Sequence, residues 1–200
     1  MAKLFYQGHG SFRITADDGR VMYVDPFAGE GYNMPCDIIL VSHQHSDHNK
    51  VDLCVQKPGC TIITNTEALA GGVHNRFDIG GIKIQAVEAY NKNHNPNECV
   101  GYIIEVDGVK LYACGDTSKT KQMEAFPSLK LDYALLVGDG VYNMDPLEAA
   151  ECAEIIGAKH NIIIHLEPGQ LFNAEKARAW QAPNKLFVEA GQEITLAKPS

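Results

Sequence analysis

Residues 41–50 read VSHQHSDHNK, and the six positions from His43 to His48 hold three histidines and an aspartate. Imidazoles and carboxylates are the side chains that bind divalent cations, so this loop can build a metal site. His43 and His45 stand two residues apart. In extended backbone that spacing puts both imidazoles on one side, where they can share an ion. The pattern differs from the helical His-Glu-x-x-His arrangement, in which ligands four residues apart converge on one helix face. Asp47 and His48 follow directly, and adjacent residues in a turn can aim at a second, neighbouring point. A single histidine after a strand is ordinarily a solvated loop residue. Four such groups crowded together without a cation would instead repel when protonated or lack partners when buried.

One loop cannot complete a divalent site, so further ligands are expected at other strand ends. Three candidates qualify: His94 in NKNHNPN before a strand, Asp116 in ACGDT after one, and His165 in IIIHLEP after another. Asp116 taken alone could be a turn former beside Thr117. His165 follows the run Ile162–Ile164, which would carry it to the mouth of a buried strand.

The elements that must position these groups follow from apolar patterning. Lys3–Gln7, Ser11–Thr15 and Val21–Asp25 read as a β-meander with a turn at Asp17-Asp18-Gly19. Asp37–Ser42 reads as a buried strand that ends at the histidine cluster. A helix is expected from about Asn49 to Gln56, then a strand over Thr61–Thr64, a helix over Thr66–Val73 and a strand over Ile82–Glu88. Val100–Val106 and Val109–Ala113 form a hairpin, followed by a helical stretch ending near Phe126 and a strand over Tyr133–Val137. Asp145-Pro146-Leu147-Glu148 combines an N-cap, a first-turn proline and an early glutamate, with Gly157 as the stop. Ile162–Ile164, a helix capped by Asn173 and running to Gln181, Leu186–Val188 and Glu193–Leu196 complete the chain. The halves share a strand-then-helix composition, a faint sign of an internal repeat.

Two hundred residues with 45% hydrophobic content suit one well-cored domain, here residues 1–200. A formal charge of −8 opposes polyanion binding by bulk electrostatics, and nothing in the sequence forms a basic run. The first residues, MAKLFYQGHGSF, lack the features of a signal peptide, and no apolar stretch is long enough to span a bilayer, so a soluble cytoplasmic protein is expected. Six cysteines occur without a Cys-x-x-Cys pair, and reduced, mostly buried thiols are expected. Oligomers are common among enzymes of this size, and a homo-oligomer acting on a small molecule is the expectation.

The run His43-Gln44-His45-Ser46-Asp47-His48 resembles the His-x-His-x-Asp-His signature of the metallo-β-lactamase superfamily, and later segments fall in that superfamily's order. The nearest group is that of small lactamase-like metal-dependent hydrolases, with ascorbate-6-phosphate lactonases more distant. The echoes are Gly8-His9-Gly10-Ser11-Phe12, Asp25-Pro26-Phe27, Val100–Glu105, Leu111–Thr117 and Met144-Asp145-Pro146 before His165. The resemblance implies an α/β fold, the αββα sandwich, with the site along one edge. It also implies that His43, His45 and His94 bind a first metal, that Asp47, His48 and His165 bind a second, and that Asp116 bridges. His74 in GGVHNRF is the alternative to His94. His9 and Asp25 match family positions near the site, where they would orient a ligand or touch substrate. In that group the Gly-Asp-Thr motif often follows His-Ala, whereas here it follows Ala113-Cys114, and Cys114 either perturbs the site or fills space.

Two divalent ions, zinc first and manganese or iron as alternatives, would make a water acidic enough to supply hydroxide near neutral pH and would stabilise the oxyanion. Asp47 and Asp116 would act in catalysis as well as ligation. The expected reaction is hydrolysis of a small ester, lactone or phosphodiester. Tyr142, Asp139 and Glu167 are the candidates for protonating the leaving group. A metal-dependent nuclease is the second reading, opposed by the acidic charge and the absence of a basic arm. The third is an iron-dependent oxidoreductase of the persulfide dioxygenase type.

Overall fold

In the computed structural model, which describes residues 1–197, the chain forms two six-stranded sheets. The first sheet contains β1 (Lys3–Gly8), β2 (Ser11–Thr15), β3 (Val21–Val24), β4 (Cys36–Leu40) and β5 (Gln56–Ile63), with β12 (Glu193–Thr195) beside β1. The second contains β6 (Arg76–Ile79), β7 (Ile82–Glu88), β8 (Val100–Val106), β9 (Val109–Ala113), β10 (Tyr133–Val137) and β11 (His160–Ile164), in that spatial order. Helices α1 (Asn65–Ala68), α2 (Pro146–Ile156) and α3 (Ala174–Ala179) lie outside them. The architecture is the αββα sandwich.

Side-chain alternation decides which face looks inward. On β3, Met22 and Val24 enter the core between the sheets, while Val21 and Tyr23 join a second apolar cluster with Tyr32, Ile39, Val41 and Cys54. Strand β4 is buried on both faces, which explains its uninterrupted apolar run. Burying each such isoleucine or leucine contributes roughly 1.5–3 kcal/mol, so the strand leading to the histidine loop is firmly anchored. Tyr102 ties the sheets together there, its hydroxyl donating to the Val41 carbonyl at 2.8 Å.

Parallel pairing sets the position of the site. β3 pairs with β4, and β10 pairs with β9 and β11, all parallel. Their carboxyl ends therefore emerge along one edge, where loops gather. The turns after β1, β3, β4, β9, β10 and β11 carry His9, Asp25, the 43–48 cluster, Asp116, Asp139 and His165, respectively.

Three local expectations are corrected. The Asn49–Gln56 segment is a short 3-10 turn over Val51–Leu53, because Lys50 supplies no capping side chain and Cys54 is already extended toward β5. The Thr66–Val73 helix shortens to α1 and a turn over Ala70–Gly72, broken where Gly71 adopts φ 76°. Leu186–Val188 does not pair as a strand; only Lys185 bridges, to Asn161. Strand β6 was not foreseen. By contrast, α2 begins and ends as its caps require, with Asp145 accepting from the Glu148 amide and Gly157 left-handed. No helix among the described residues is long and apolar enough to cross a membrane.

Candidate metal centre

Three residues at the edge hold backbone conformations that side chains disfavour: His9 (φ 55°), Asp25 (φ 45°) and His165 (φ 50°). Local hydrogen bonds sustain them. The His165 amide donates to the His9 carbonyl at 3.0 Å, that carbonyl also accepts from the Tyr6 hydroxyl at 2.8 Å, and the Asp25 amide donates to Leu40 at 2.9 Å. Strain concentrated in this way aims polar side chains inward at a functional edge.

Donor atoms from seven residues then meet as two sets and a shared carboxylate. His43, His45 and His94 converge, and so do Asp47, His48 and His165, joined by His9. Asp116 lies between the sets and divides its oxygens. Oδ2 is 3.2 Å from His94 Nε2 and 3.7 Å from His43 Nε2, while Oδ1 is 3.2 Å from His48 Nε2 and 3.5 Å from His165 Nε2. Within the second set, Asp47 Oδ2 is 3.6 Å from His48 Nε2 and 3.7 Å from His165 Nε2, and the two Nε2 atoms are 3.3 Å apart.

Partners on the far side of the rings select the nitrogen that points inward. His48 Nδ1 contacts Asp25 Oδ2 at 2.9 Å, and Asp25 also accepts from the Ser42 amide and hydroxyl. With its own proton given to Asp25, Ser42 Oγ receives His43 Nδ1 at 2.8 Å. His94 Nδ1 donates to Asn91 Oδ1 at 2.9 Å. His165 Nδ1 approaches Asp139 Oδ2 at 3.2 Å, as an ion pair whose angle is poor for a hydrogen bond. The three hydrogen bonds place the proton on Nδ1 of His43, His48 and His94, the Asp139 charge favours the same for His165, and an Nε2 lone pair is left facing the centre, the usual arrangement around a metal-binding histidine. His9 joins Asp47 Oδ2 at 2.8 Å to the Gln170 carbonyl at 3.0 Å, and so holds Asp47 in place.

Burial makes the electrostatics strong. It opposes charge on Asp116, yet the His48 and His165 imidazoles hold that carboxyl well below its usual range. Burial likewise opposes a cation on His48, but Asp116 and Asp25 raise it well above its ordinary value. His165 is raised to about 9 against burial, by Asp116, Asp139 and Asp47. Asp47 is held low against burial, by hydrogen bonds from His165 and His9. His43 goes the other way, lowered to about 3 by burial and the nearby His48.

The donor set fits a cation. His43 Nε2, His94 Nε2 and Asp116 Oδ1 are buried without any hydrogen-bond partner, which is costly unless something positive satisfies them. Two ligands about 2.05 Å from a tetrahedral zinc lie roughly 3.3 Å apart, and the separations across Asp116 and within the second set span 3.2 to 3.7 Å.

All seven expected ligand residues thus gather at one edge, with His9 and Asp25 beside them. His74 does not join the groups that converge. Cys114 is a buried thiol that donates to the Gly115 carbonyl and accepts from the Val137 amide, and burial pushes its pKa up, so it fills space as a neutral group. Ser42 and Asn91 are orienting residues that the sequence reading did not single out. Their only signal is spacing: Ser42 adjoins His43, and Asn91 sits three residues before His94. A cavity of about 390 Å³ opens on the first set, lined by His43, His45, His94, Gln44, Asn65 and Glu98.

A family model described as the beta-lactamase superfamily domain matches residues 3–165. A UPF0173 metal-dependent hydrolase of Thermococcus onnurineus is 30% identical, across 82% of this chain and 84% of its own. Another from Alkaliphilus metalliredigens is 31% identical with the same coverage of each chain. In three dimensions the chain resembles a metallo hydrolase of the hyperthermophilic archaeon Ignicoccus hospitalis, with a TM-score of 0.76 at 20% identity and 99% coverage of both chains.

Proposed function

The chain belongs to the beta-lactamase superfamily domain family as a metal-dependent hydrolase, and from that premise we propose that it uses two divalent cations, zinc first among the candidates, to hydrolyse a small ester, lactone or phosphodiester. His43, His45 and His94 would hold one cation and Asp47, His48 and His165 the other, with Asp116 placed between the two sets to serve both. The observation that carries this reading is the division of the Asp116 carboxylate, Oδ2 toward His94 and Oδ1 toward His48. When bound, such ions make water acidic enough to be deprotonated near neutral pH and stabilise charge on the oxygen of the scissile group.

The chain's own residues supply position and proton handling. Asp25, Ser42, Asn91 and Asp139 keep Nε2 of their histidines free. Asp47 Oδ2, fixed by His9, faces the second set, where it would help hold the cation and orient a water beside it. The leaving group needs an acid elsewhere. Asp139 and Glu167 are both held below the ordinary carboxylate range, Asp139 against burial by His165 and backbone amides, Glu167 by Asn173 and Lys176. Both therefore favour the ionised form. The cavity over the first set has the dimensions of a small-molecule site, and the partner in this reading is a small molecule rather than a nucleic acid or a membrane.

Metal analysis of the purified protein, followed by assays on a panel of lactones and phosphodiesters, tests the proposal. Two zinc or manganese equivalents with turnover that Asp116→Ala abolishes is the expected result. One iron, no zinc or manganese, and oxygen-dependent persulfide oxidation would replace it with the dioxygenase reading.

A further inference from the structure

The loop after β10 holds two large apolar side chains in water, Val141 at 55% and Tyr142 at 54% exposure. It is nevertheless tightly fastened. Asp139 Oδ1 accepts from the Val141 and Tyr142 amides, each at 2.7 Å, and Oδ2 accepts from Asn143 Nδ2 at 2.7 Å. The Tyr142 carbonyl accepts from Asn91 Nδ2 at 3.0 Å and Asn93 Nδ2 at 2.9 Å. Two of these fasteners also face candidate ligands. The same Asn91 amide group receives His94 Nδ1 on its oxygen, and the same Asp139 carboxylate approaches His165 Nδ1. One loop is therefore tied to both cation-binding sets, through side chains that set the orientation of a histidine in each.

We propose that Asn91 and Asp139 are positioning residues that lock the Val141–Tyr142 tip to the two sets, and that this tip is a specificity-determining wall for an apolar or aromatic group on the non-reacting side of the substrate. Four of these hydrogen bonds fix the backbone that carries the two exposed side chains and the fifth braces Asn143 beside it, so part of the ordering that binding would cost is already met by the loop. Tyr142 also lines a cavity of about 400 Å³ with Tyr90, Asn91, Lys92 and Asn143, within the size range of small-molecule sites. Its two tyrosines suit an aryl or alkyl group, set beside a polar side of the same lining made by Lys92, Ser118, Asp145 and Glu148. The coupling works in both directions: cation binding that fixes His94 and His165 orders the tip, and an ordered tip favours cation binding. The word substrate rests on the hydrolase reading; the coupling does not.

Amide hydrogen exchange of the full chain, with and without zinc chloride, tests the lock. Zinc should slow exchange at the Val141 and Tyr142 amides by about tenfold or more. Asn91→Asp keeps an oxygen for His94 but removes the donor to Tyr142, so it should still bind zinc while losing much of that slowing. Equal exchange rates with and without zinc in the wild type would overturn the lock. The wall is tested by calorimetry on zinc-loaded protein with two non-hydrolysable probes, phenylphosphonate and methylphosphonate. The phenyl compound should bind about tenfold tighter, a difference of about 1.4 kcal/mol, and Tyr142→Ala should bring the ratio near one without changing zinc stoichiometry. A ratio near one in the wild type, or one untouched by Tyr142→Ala, would overturn the wall. Failure to hydrolyse any of the lactones or phosphodiesters would instead count against the hydrolase reading alone.

Discussion

The histidines of the first set lean on neutral groups, the Ser42 hydroxyl and the Asn91 amide, whereas His48 and His165 in the second lean on the carboxylates of Asp25 and Asp139. The first set also opens outward, because His45 is exposed and lines the cavity, while His48 and His165 are almost fully buried. Equal imidazole chemistry therefore sits in unequal fields. A cation in the second set would meet the carboxylates of Asp47 and Asp116, with Asp25 and Asp139 behind its histidines, and should be held tightly. One in the first set shares only Asp116 and faces the solvent, which suits an ion that exchanges water for substrate.

The largest effect should come from removing what the two sets share. Asp116→Ala is expected to weaken both cations and to lower hydrolysis by about 10³-fold or more, since several kcal/mol of charge stabilisation are lost. Metal content and turnover measured together check this. If one cation and full activity survived, the sets would be independent. Next in size, Asp25→Asn should weaken the second-set cation by about 10- to 100-fold, as losses of a ligand's orienting partner do. Ser42→Ala should do less, acting on the first set directly through His43 and on the second only through the hydrogen bond its hydroxyl gives Asp25. Competitive zinc titrations distinguish the two, and equal losses in both variants would erase the contrast.

A smaller steric effect should follow from Gly10→Ala. The new Cβ would lie 3.0 Å from His48 Cε1 and 3.4 Å from its Nδ1, so the ring must shift, at a stability cost of about 1–3 kcal/mol. Second-set affinity should fall and first-set affinity hold, as calorimetry with denaturation midpoints would show. The mildest contrast concerns pH. Without a cation, the surrounding carboxylates raise both His48 and His165, the latter to about 9, so the facing pair favours a bound proton that metal must displace. Second-set affinity should therefore climb as pH rises from 6 toward 9. His43, lowered to about 3, is already neutral there, and its set should respond less.

Much of this was legible before any coordinates, for reasons that differ by element. The 43–48 cluster announces itself because its ligands are consecutive, and α2 because its caps are local. Strands β2, β7, β8, β9 and β10 follow their apolar patterns closely. The segment around Val51 misleads because its fate depends on where β5 pairs with β4, and that pairing shifts register between Cys36 and Ile38. The orienting shell is hidden for the same kind of reason. Asp139 reads from sequence as a loop acid that could protonate a leaving group, and its contact with His165, 26 positions later, emerges only on folding. Asn91 reads as one polar residue among several in NKNHNPN until the turn places its amide against His94.

Zinc titration of the metal-free protein by calorimetry tests the two-set account most directly. Two resolved steps are predicted: the tighter first, with proton release seen as a dependence on buffer ionisation enthalpy, and the weaker second, abolished selectively by His45→Ala. A single equivalent, or two steps that His45→Ala diminishes alike, would contradict it.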